Sequence, residues 1–229
     1  MDIVALMGSP RKHGNTDMLI DEMIKGAEEN GHNVVKHYIS DLDVHPCKGC
    51  GVCTTGKDCV FKDDGLEVTH QIANAEGLIV SSPIYFGQMT GDLKILIDRL
   101  FGITNNPFIT LSGKVALIFT HLGPEGYYDS YIELTKIQPF QMNMHYEILD
   151  VLVAGSLGDV RNQPNKFIEA FEIGKNFNET KLKIIMENEN YMPTNRLEAF
   201  YDAIIAIIVT VLVLELPQPE TASIAAIWL

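Results

Sequence analysis

The sequence predicts an α/β domain built on a doubly wound parallel sheet of five strands. Short apolar runs alternate along the chain with segments whose apolar residues recur at helical spacing. Strands that alternate with helices form a parallel sheet covered on both faces, and such sheets bind ligands at the carboxyl ends of their strands. The 229 residues are enough for one such domain and an appendage.

The first strand is predicted from the apolar run Ile3–Met7, which ends at Gly8. The following helix is predicted over Asp17–Asn30 from the spacing of its apolar residues, and Gly31 ends it. Asn15 or Thr16 can cap this helix through a side-chain oxygen. Asn33–Ile39 is the second predicted strand.

The second half of the domain continues the alternation. The further predicted strands are Gly77–Ser81, Lys114–Thr120 and one within His145–Ala154. The further predicted helices are Gly65–Ala75, Gly91–Phe101 and Asn165–Asn178. Five strands in this arrangement predict a flavodoxin-like topology.

Composition and charge narrow the class of protein. The hydrophobic fraction of 46% and the charged fraction of 21% are ordinary for a globular domain. A net charge of −13 argues against nucleic acid or anionic lipid as the partner of the main domain, since both select Lys and Arg. The N-terminus predicts no signal peptide, and we expect a cytoplasmic catalytic domain.

All four cysteines of the chain fall within thirteen residues, at Cys47, Cys50, Cys53 and Cys59. The C-x2-C-x2-C-x5-C spacing lets successive sulfurs turn inward, as a cubic iron–sulfur cluster requires. Three glycines in the loop permit the tight, partly left-handed backbone this needs.

Three other interpretations of the cysteines stay open. Zinc is the main rival metal, although structural zinc sites usually use two knuckles far apart in sequence. Plain thiols are a second alternative. Disulfides are the poorest, because clustered cysteines without a secretory signal favour metal or redox chemistry.

The loop between the first strand and helix, GSPRKHGNT, faces the predicted ligand edge. Ser9, Asn15 and Thr16 offer hydroxyl and amide groups, and Arg11 offers a charged fork. The N–H groups at the helix start add partial positive charge, so a phosphate fits there. A solvated turn is the alternative. The loop has neither a Walker pattern nor G-x-G-x-x-G, which argues against ATP and a nicotinamide-binding Rossmann fold.

Two further loops reach the same edge. Pro83, Ile84, Tyr85 and Phe86 follow the third strand, where apolar side chains and backbone amides can meet a flat heterocycle. Simple packing on the next helix is the alternative. Thr120 and Gly123 follow the fourth strand, and glycine allows close backbone approach.

The remaining polar residues suggest no hydrolytic site. His13 and His45 are interpreted as surface or hydrogen-bonding residues, since neither has a metal-ligand spacing of its own. The alternative is that either one tunes a cofactor, because His13 lies in the first loop and His45 lies near Cys47. No Ser–His–Asp order and no paired carboxylates are recognisable in the sequence.

The first loop, the cysteine loop and SSPIYFGQMTGDLKILIDR, in this order, resemble the iron–sulfur flavoproteins of the NADPH-dependent FMN reductase-like group. The resemblance covers about residues 1–187 and implies an electron-transfer oxidoreductase with FMN and a [4Fe–4S] cluster. It places the FMN phosphate on Ser9, Arg11, Asn15 and Thr16, and the flavin ring on residues 83–86. Thr120 and Gly123 are assigned less directly, because the loop after the fourth strand departs from the family's glycine-rich pattern.

The resemblance also implies partners. It implies a homodimer or homotetramer in which the cluster of one subunit lies near the flavin of another. The electron donor would be a redox protein such as ferredoxin, or NAD(P)H. Two alternatives remain: an NAD(P)H-dependent FMN or quinone reductase without a cluster, and a membrane-tethered zinc-binding interaction module.

The composition changes after the predicted domain. We interpret residues 188–195 as a linker and 196–229 as a hydrophobic tail, with a candidate transmembrane helix at 199–216. A buried core helix is the alternative. The tail resembles the first transmembrane helix of the lysosomal and prokaryotic potassium-channel family, and the matching residues are Arg196, Phe200 and Asp202. One helix cannot form a pore, so we expect at most membrane attachment.

Overall fold

A computed structural model describes residues 1–156 and 158–178. The strands are β1 (Asp2–Met7), β2 (Asn33–Tyr38), β3 (Gly77–Pro83), β4 (Gly113–Thr120) and β5 (Tyr146–Ala154). The helices are α1 (Asn15–Glu29), α2 (Asp64–Asn74), α3 (Gly91–Arg99), α4 (Phe101–Thr104), α5 (Asp129–Thr135) and α6 (Pro164–Lys175). A π-helical segment, Lys136–Asn143, follows α5 directly.

The five strands form one parallel sheet in the order β2-β1-β3-β4-β5. The register places Val4 of β1 between Val35 of β2 and Leu78 of β3. The predicted flavodoxin-like sheet is therefore confirmed. The strand order reverses between β1 and β3, and in this topology the crevice outside the carboxyl ends of those strands is the usual ligand site.

Both faces of the sheet are buried at β1, β3 and β4, which explains why these strands are largely apolar in sequence. Along β1, Val4 and Leu6 join the core beneath α2 and α3, whereas Ile3, Ala5 and Met7 join the core beneath α1 and α6. This alternation follows from the two-residue period of a strand.

Two glycines let α1 and α6 approach closely on one face of the sheet. A Cβ atom on Gly26 would lie 2.0 Å from the carbonyl oxygen of Phe171, and one on Gly174 would lie 1.9 Å from that of Met23. Neither position leaves room for a Cβ methyl group, so the close approach of α1 and α6 requires glycine at both positions.

The structure corrects the start of the first helix. α1 begins at Asn15, and its N-cap is Gly14 in an extended conformation. The predicted cap at Asn15 or Thr16 is wrong, because both residues lie inside the first turn. The sequence pattern also does not predict α4, α5 or the π-helical segment, which are short or contain Pro139.

The predicted linker and hydrophobic tail lie outside the described residues. Within residues 1–156 and 158–178, no helix combines the length and apolar character needed to cross a bilayer. The domain boundary at residue 187 stays a prediction.

Candidate functional site

One pocket of about 480 Å³ opens at the carboxyl edge of the sheet. This volume falls within the range of about 300–1,000 Å³ that is usual for small-molecule sites. The loops after β1, β3, β4 and β5 all contribute to it. Of the residues predicted to bind FMN, all but Phe86 line this pocket, namely Ser9, Arg11, Asn15, Thr16, Pro83, Ile84, Tyr85, Thr120 and Gly123.

The loop after β1 presents the start of α1 to the pocket. Gly14, the N-cap, has no side chain that could accept from the first turn of α1. The first N–H groups of a helix have no intrahelical partner, so those of α1 are available to an anion. Ser9 is buried and accepts the N–H of Arg11 at 3.2 Å, which shapes the turn around the Arg11 side chain.

Asn15 and Thr16 connect this loop to the other walls of the pocket. The Asn15 amide donates to the carbonyl of Gly158 at 3.0 Å, and its oxygen accepts the N–H of Val160 at 3.1 Å. The Thr16 hydroxyl oxygen lies 2.7 Å from that of Thr120. Both side chains are thus engaged with the protein, although an amide group and a hydroxyl retain capacity for one further bond.

Asp17 also holds the loop after β1 in place, and no sequence motif marks this residue. Its buried carboxylate accepts the N–H of His13 at 2.6 Å and contacts Lys36 Nζ at 2.5 Å and Tyr38 Oη at 3.3 Å. Burial opposes ionisation, but Lys36 and the His13 N–H outweigh it and lower the pKa of Asp17. His13 has a left-handed φ of 60°, and this bond to Asp17 helps to hold it there.

The loop after β3 forms a tight turn. Tyr85 and Gln88 exchange two backbone hydrogen bonds of 2.8 and 3.2 Å. Between them, Phe86 and Gly87 have φ values of 50° and 89°. A left-handed residue other than glycine costs roughly 1–3 kcal/mol, and such strain concentrates at functional sites. The Phe86 side chain is fully exposed and does not line the pocket.

Hydrogen bonds join the loops after β1 and β3 to each other. The Gly8 N–H donates to the carbonyl of Ser81 at 2.8 Å. The Thr90 hydroxyl donates to the carbonyl of Gly8 at 2.6 Å, and the Thr90 N–H donates to Ser82 Oγ at 3.1 Å. These bonds fix the two loops at one spacing, as a preorganised site requires.

The loop after β4 adds aromatic residues that the sequence analysis missed. His121 is buried, and its Nδ1 donates to the carbonyl of Gly123 at 3.1 Å. Tyr128 packs edge-on against His121 at 5.0 Å, and both side chains line the pocket. Their position in the loop that follows a strand of the predicted sheet is the signal that could have revealed them.

The cysteine loop, which connects β2 to α2 in the sequence, forms a second pocket with Arg99, Phe101 and Gly102. All four cysteines line it, together with Phe61 and Arg99. Gly49, Gly51 and Gly56 adopt the predicted left-handed backbone. Burial raises the pKa of the Cys53 thiol, and the three neighbouring cysteines add to the shift. Among the described residues, no three His, Cys, Asp or Glu side chains stand in an arrangement that could hold an ion.

Residues 1–147 match the family described as NADPH-dependent FMN reductase. This match spans more than half of the chain, including the cysteine loop and the loops after β1, β3 and β4. The chain belongs to this family. The predicted family resemblance is confirmed, and the chain is a flavin-dependent oxidoreductase as the sequence predicts.

Two archaeal relatives carry the name iron–sulfur flavoprotein. The one from Archaeoglobus fulgidus is 31% identical over 184 residues, which cover 75% of this chain and 81% of that protein. The one from Methanosarcina thermophila is 38% identical over 99 residues, which cover 43% of this chain and 52% of that protein. The chain thus spans about four fifths of the first relative and about half of the second.

Solved structures show the same fold at low sequence identity. The NAD(P)H:quinone oxidoreductase from Methanothermobacter marburgensis superimposes with a TM-score of 0.62 at 14% identity, over 79% of this chain and 98% of that chain. A flavone reductase gives a TM-score of 0.61 at 17% identity, over 84% of this chain and 66% of that chain.

The C-terminal residues match a different family. Residues 196–229 match the family described as the endosomal/lysosomal potassium channel TMEM175. This short match accords with the resemblance predicted for the tail.

Proposed function

We propose that this member of the NADPH-dependent FMN reductase family is an electron-transfer protein that binds FMN and a [4Fe–4S] cluster. FMN would occupy the pocket at the carboxyl edge of the sheet, called the strand-edge pocket, and the cluster would occupy the cysteine loop. One observation carries the proposal. Loops from distant parts of the sequence form one preorganised pocket, and four thiols line a second pocket on the same domain. The names of the archaeal relatives support this pairing.

The strand-edge pocket fits FMN because its polar and aromatic residues occupy different loops. The phosphate would meet the start of α1, where unpaired N–H groups and Arg11 supply positive charge. The flat ring would lie along Pro83, Ile84 and Tyr85, opposite Thr120 and Gly123. Phe86 is assigned to an exposed edge outside the pocket, where it could cover a ring or meet a partner.

The cysteine pocket fits a cluster by the chemistry of its donors. Thiolates are the usual ligands of iron–sulfur clusters, and all four thiols of the chain line this one pocket. Metal binding commonly organises its own site, so the thiols would move to ligating distances as the cluster is inserted. Cys47, Cys50, Cys53 and Cys59 are the proposed ligands.

Bound FMN exchanges two electrons and a cluster exchanges one, which would connect a two-electron partner to a one-electron partner. The residues of the chain hold and orient these groups. Asp17 fixes the loop after β1, called the phosphate loop, and Thr90 sets the spacing between it and the loop after β3, called the ring loop. The proposed donor is a redox protein such as ferredoxin, or NAD(P)H.

We propose further that the chain works as a homodimer or homotetramer. The ring loop joins the start of α3, whereas Arg99 at the end of α3 lines the cysteine pocket. The nine residues of α3 span roughly 14 Å at about 1.5 Å per residue, which separates the two ends of this helix. The two pockets share no lining residue. Exposed apolar side chains on the neighbouring helices, including Phe101, Leu134 and Met142, offer a surface for a second copy.

The alternative is an NAD(P)H-dependent FMN or quinone reductase that uses FMN alone. The structural similarity to a quinone oxidoreductase and the exposure of Cys47 and Cys50 favour it. Anaerobic purification of the full chain, followed by quantification of FMN, iron and acid-labile sulfide, separates the two. About four irons and four sulfides per chain support the cluster. FMN without iron supports the alternative, and zinc without flavin would support an interaction module instead.

A further inference from the structure

Arg99, the last residue of α3, is only 4% exposed. Arginine is rarely buried to this degree, because removing its charge from water is costly unless partners compensate. The partners that compensate the charge of Arg99 are residues that flank the cysteine loop on both sides.

The guanidinium binds both flanks of the cysteine loop. It forms a fork with the Asp63 carboxylate, with N–O distances of 2.8 and 3.0 Å. It also donates to the carbonyl of His45 at 2.9 Å. Asp63 in turn accepts the N–H of His45 at 2.9 Å, so the residues just before Cys47 and just after Cys59 are tied to one side chain.

Asp63 is fixed from a second direction. It is the N-cap of α2 and accepts the N–H of Leu66 at 3.2 Å. Although burial opposes ionisation, Arg99 and these N–H donors hold the pKa of Asp63 well below its usual range. The pair is therefore charged, and the C-terminal end of α3 is coupled to the start of α2 through it.

An aromatic stack closes the space beside the guanidinium. The rings of His45 and Phe61 lie 4.8 Å apart and nearly parallel, and the Arg99 carbon lies 5.4 Å from the centre of the Phe61 ring. The Arg99 side chain is buried, so water has little access to the guanidinium. A charge shielded in this way acts more strongly on its neighbours than one in solvent.

Arg99 lines the same pocket as the four cysteines. We propose that Arg99 positions both ends of the cysteine loop and supplies a fixed positive charge that raises the reduction potential of the cluster. This inference rests on the proposed function. The physical reason is that reduction adds negative charge beside four thiolates, and a fixed cation stabilises that charge.

The test uses the full chain, purified anaerobically, with the variants Arg99→Gln and Arg99→Lys. Reduction potentials are measured by spectroscopic redox titration, together with iron, sulfide and melting temperature. Arg99→Gln should lower the potential, because it removes the charge. Arg99→Lys should retain most of the potential yet hold less iron, because an ammonium cannot form the fork to Asp63. Lys94→Gln is the matched control, because Lys94 is an exposed cation on the same helix that pairs with Asp98.

Asp63→Asn provides a readout of opposite sign. It removes the negative charge that offsets Arg99, so the reduction potential of the cluster should rise. Loosening of the cysteine loop would not give a shift opposite to that of Arg99→Gln. If Arg99→Gln does not fold, the sign obtained with Asp63→Asn decides. Suppose that the wild type carries the cluster, but the reduction potential shifts in neither Arg99→Gln nor Asp63→Asn, or falls in Asp63→Asn. This result overturns the role of Arg99 and leaves the proposed function intact. Wild-type protein without iron and sulfide overturns both the proposed function and this inference.

Discussion

The hydroxyl oxygens of Thr16 and Thr120 lie 2.7 Å apart in a buried contact, although 104 residues separate them in the chain. Thr16 belongs to the first turn of α1, and Thr120 ends β4. The contact crosses the carboxyl ends of the strands on which the candidate flavin pocket is built. It therefore couples the loop proposed for the phosphate to the end of β4, which is proposed to lie opposite the flavin ring.

A double-mutant cycle measures this coupling. Thr16→Val and Thr120→Val should each weaken FMN binding and stability, since each leaves the partner hydroxyl buried without its bond at a cost of about 1–3 kcal/mol. The double variant should lose less than the sum of the two single losses. Titration of FMN fluorescence and thermal melting give the values. Strictly additive losses would show that the two hydroxyls act independently.

Arg11 should act on the phosphate of the flavin. Arg11→Ala should weaken FMN by about 1.5–3 kcal/mol, the cost of one charge-assisted hydrogen bond, and should leave riboflavin nearly unchanged. Thr16→Ala should also weaken FMN more than riboflavin. Lys12→Ala is the control, because Lys12 is exposed and pairs with Asp41. Equal losses for FMN and riboflavin would place Arg11 away from the phosphate.

The cysteine loop should be separable from the flavin pocket. Cys50→Ser should remove most of the iron and leave FMN bound, because the two pockets share no lining residue. Iron, sulfide and flavin are quantified on anaerobically purified protein. Lys57→Gln changes a charge in the same loop and should retain the iron. Full iron and sulfide in Cys50→Ser would contradict the four-thiolate assignment.

Asp17 should make stability depend on pH. Its pKa in the folded state is lowered, so its stabilising effect is present above the unfolded value of about 3.9 and is lost as the pH falls below it. Asp17→Asn should be less stable than wild type near neutral pH and should show a flatter loss of melting temperature on acidification. Asp21→Asn is the control, since Asp21 binds the same Lys36 but is exposed. A variant as acid-sensitive as wild type would contradict this role.

Membrane attachment through the hydrophobic tail can be tested by truncation. The sequence predicts that the full chain partitions with membranes, because the apolar run 203–214 requires burial by lipid or protein. A chain that ends at Glu189 should remain in the aqueous fraction and retain FMN. Fractionation followed by flavin extraction measures both properties. Unfolding or loss of FMN on truncation would identify the tail as a core helix.

The predicted strands and most predicted helices need only local information. Runs such as Ile3–Met7 are apolar throughout because both faces of a parallel sheet are covered, and that pattern is visible in sequence. The start of α1 does not follow from local sequence in this way. Gly14 caps by backbone geometry alone, whereas Asn15 and Thr16, the better capping residues by type, are used in contacts with distant loops.

The sequence by itself determined the sheet, the family and the loops that meet at its ligand edge, because these depend on hydrophobic period and short motifs. Only the tertiary structure decided how those loops are held. The ion pair Asp17–Lys36 joins residues 19 positions apart, and the ion pair Arg99–Asp63 joins residues 36 positions apart. The Thr16 hydroxyl contacts the Thr120 hydroxyl, 104 positions away. Such pairings leave no periodic signal, since a buried charge needs a partner in space and not at any fixed distance along the chain.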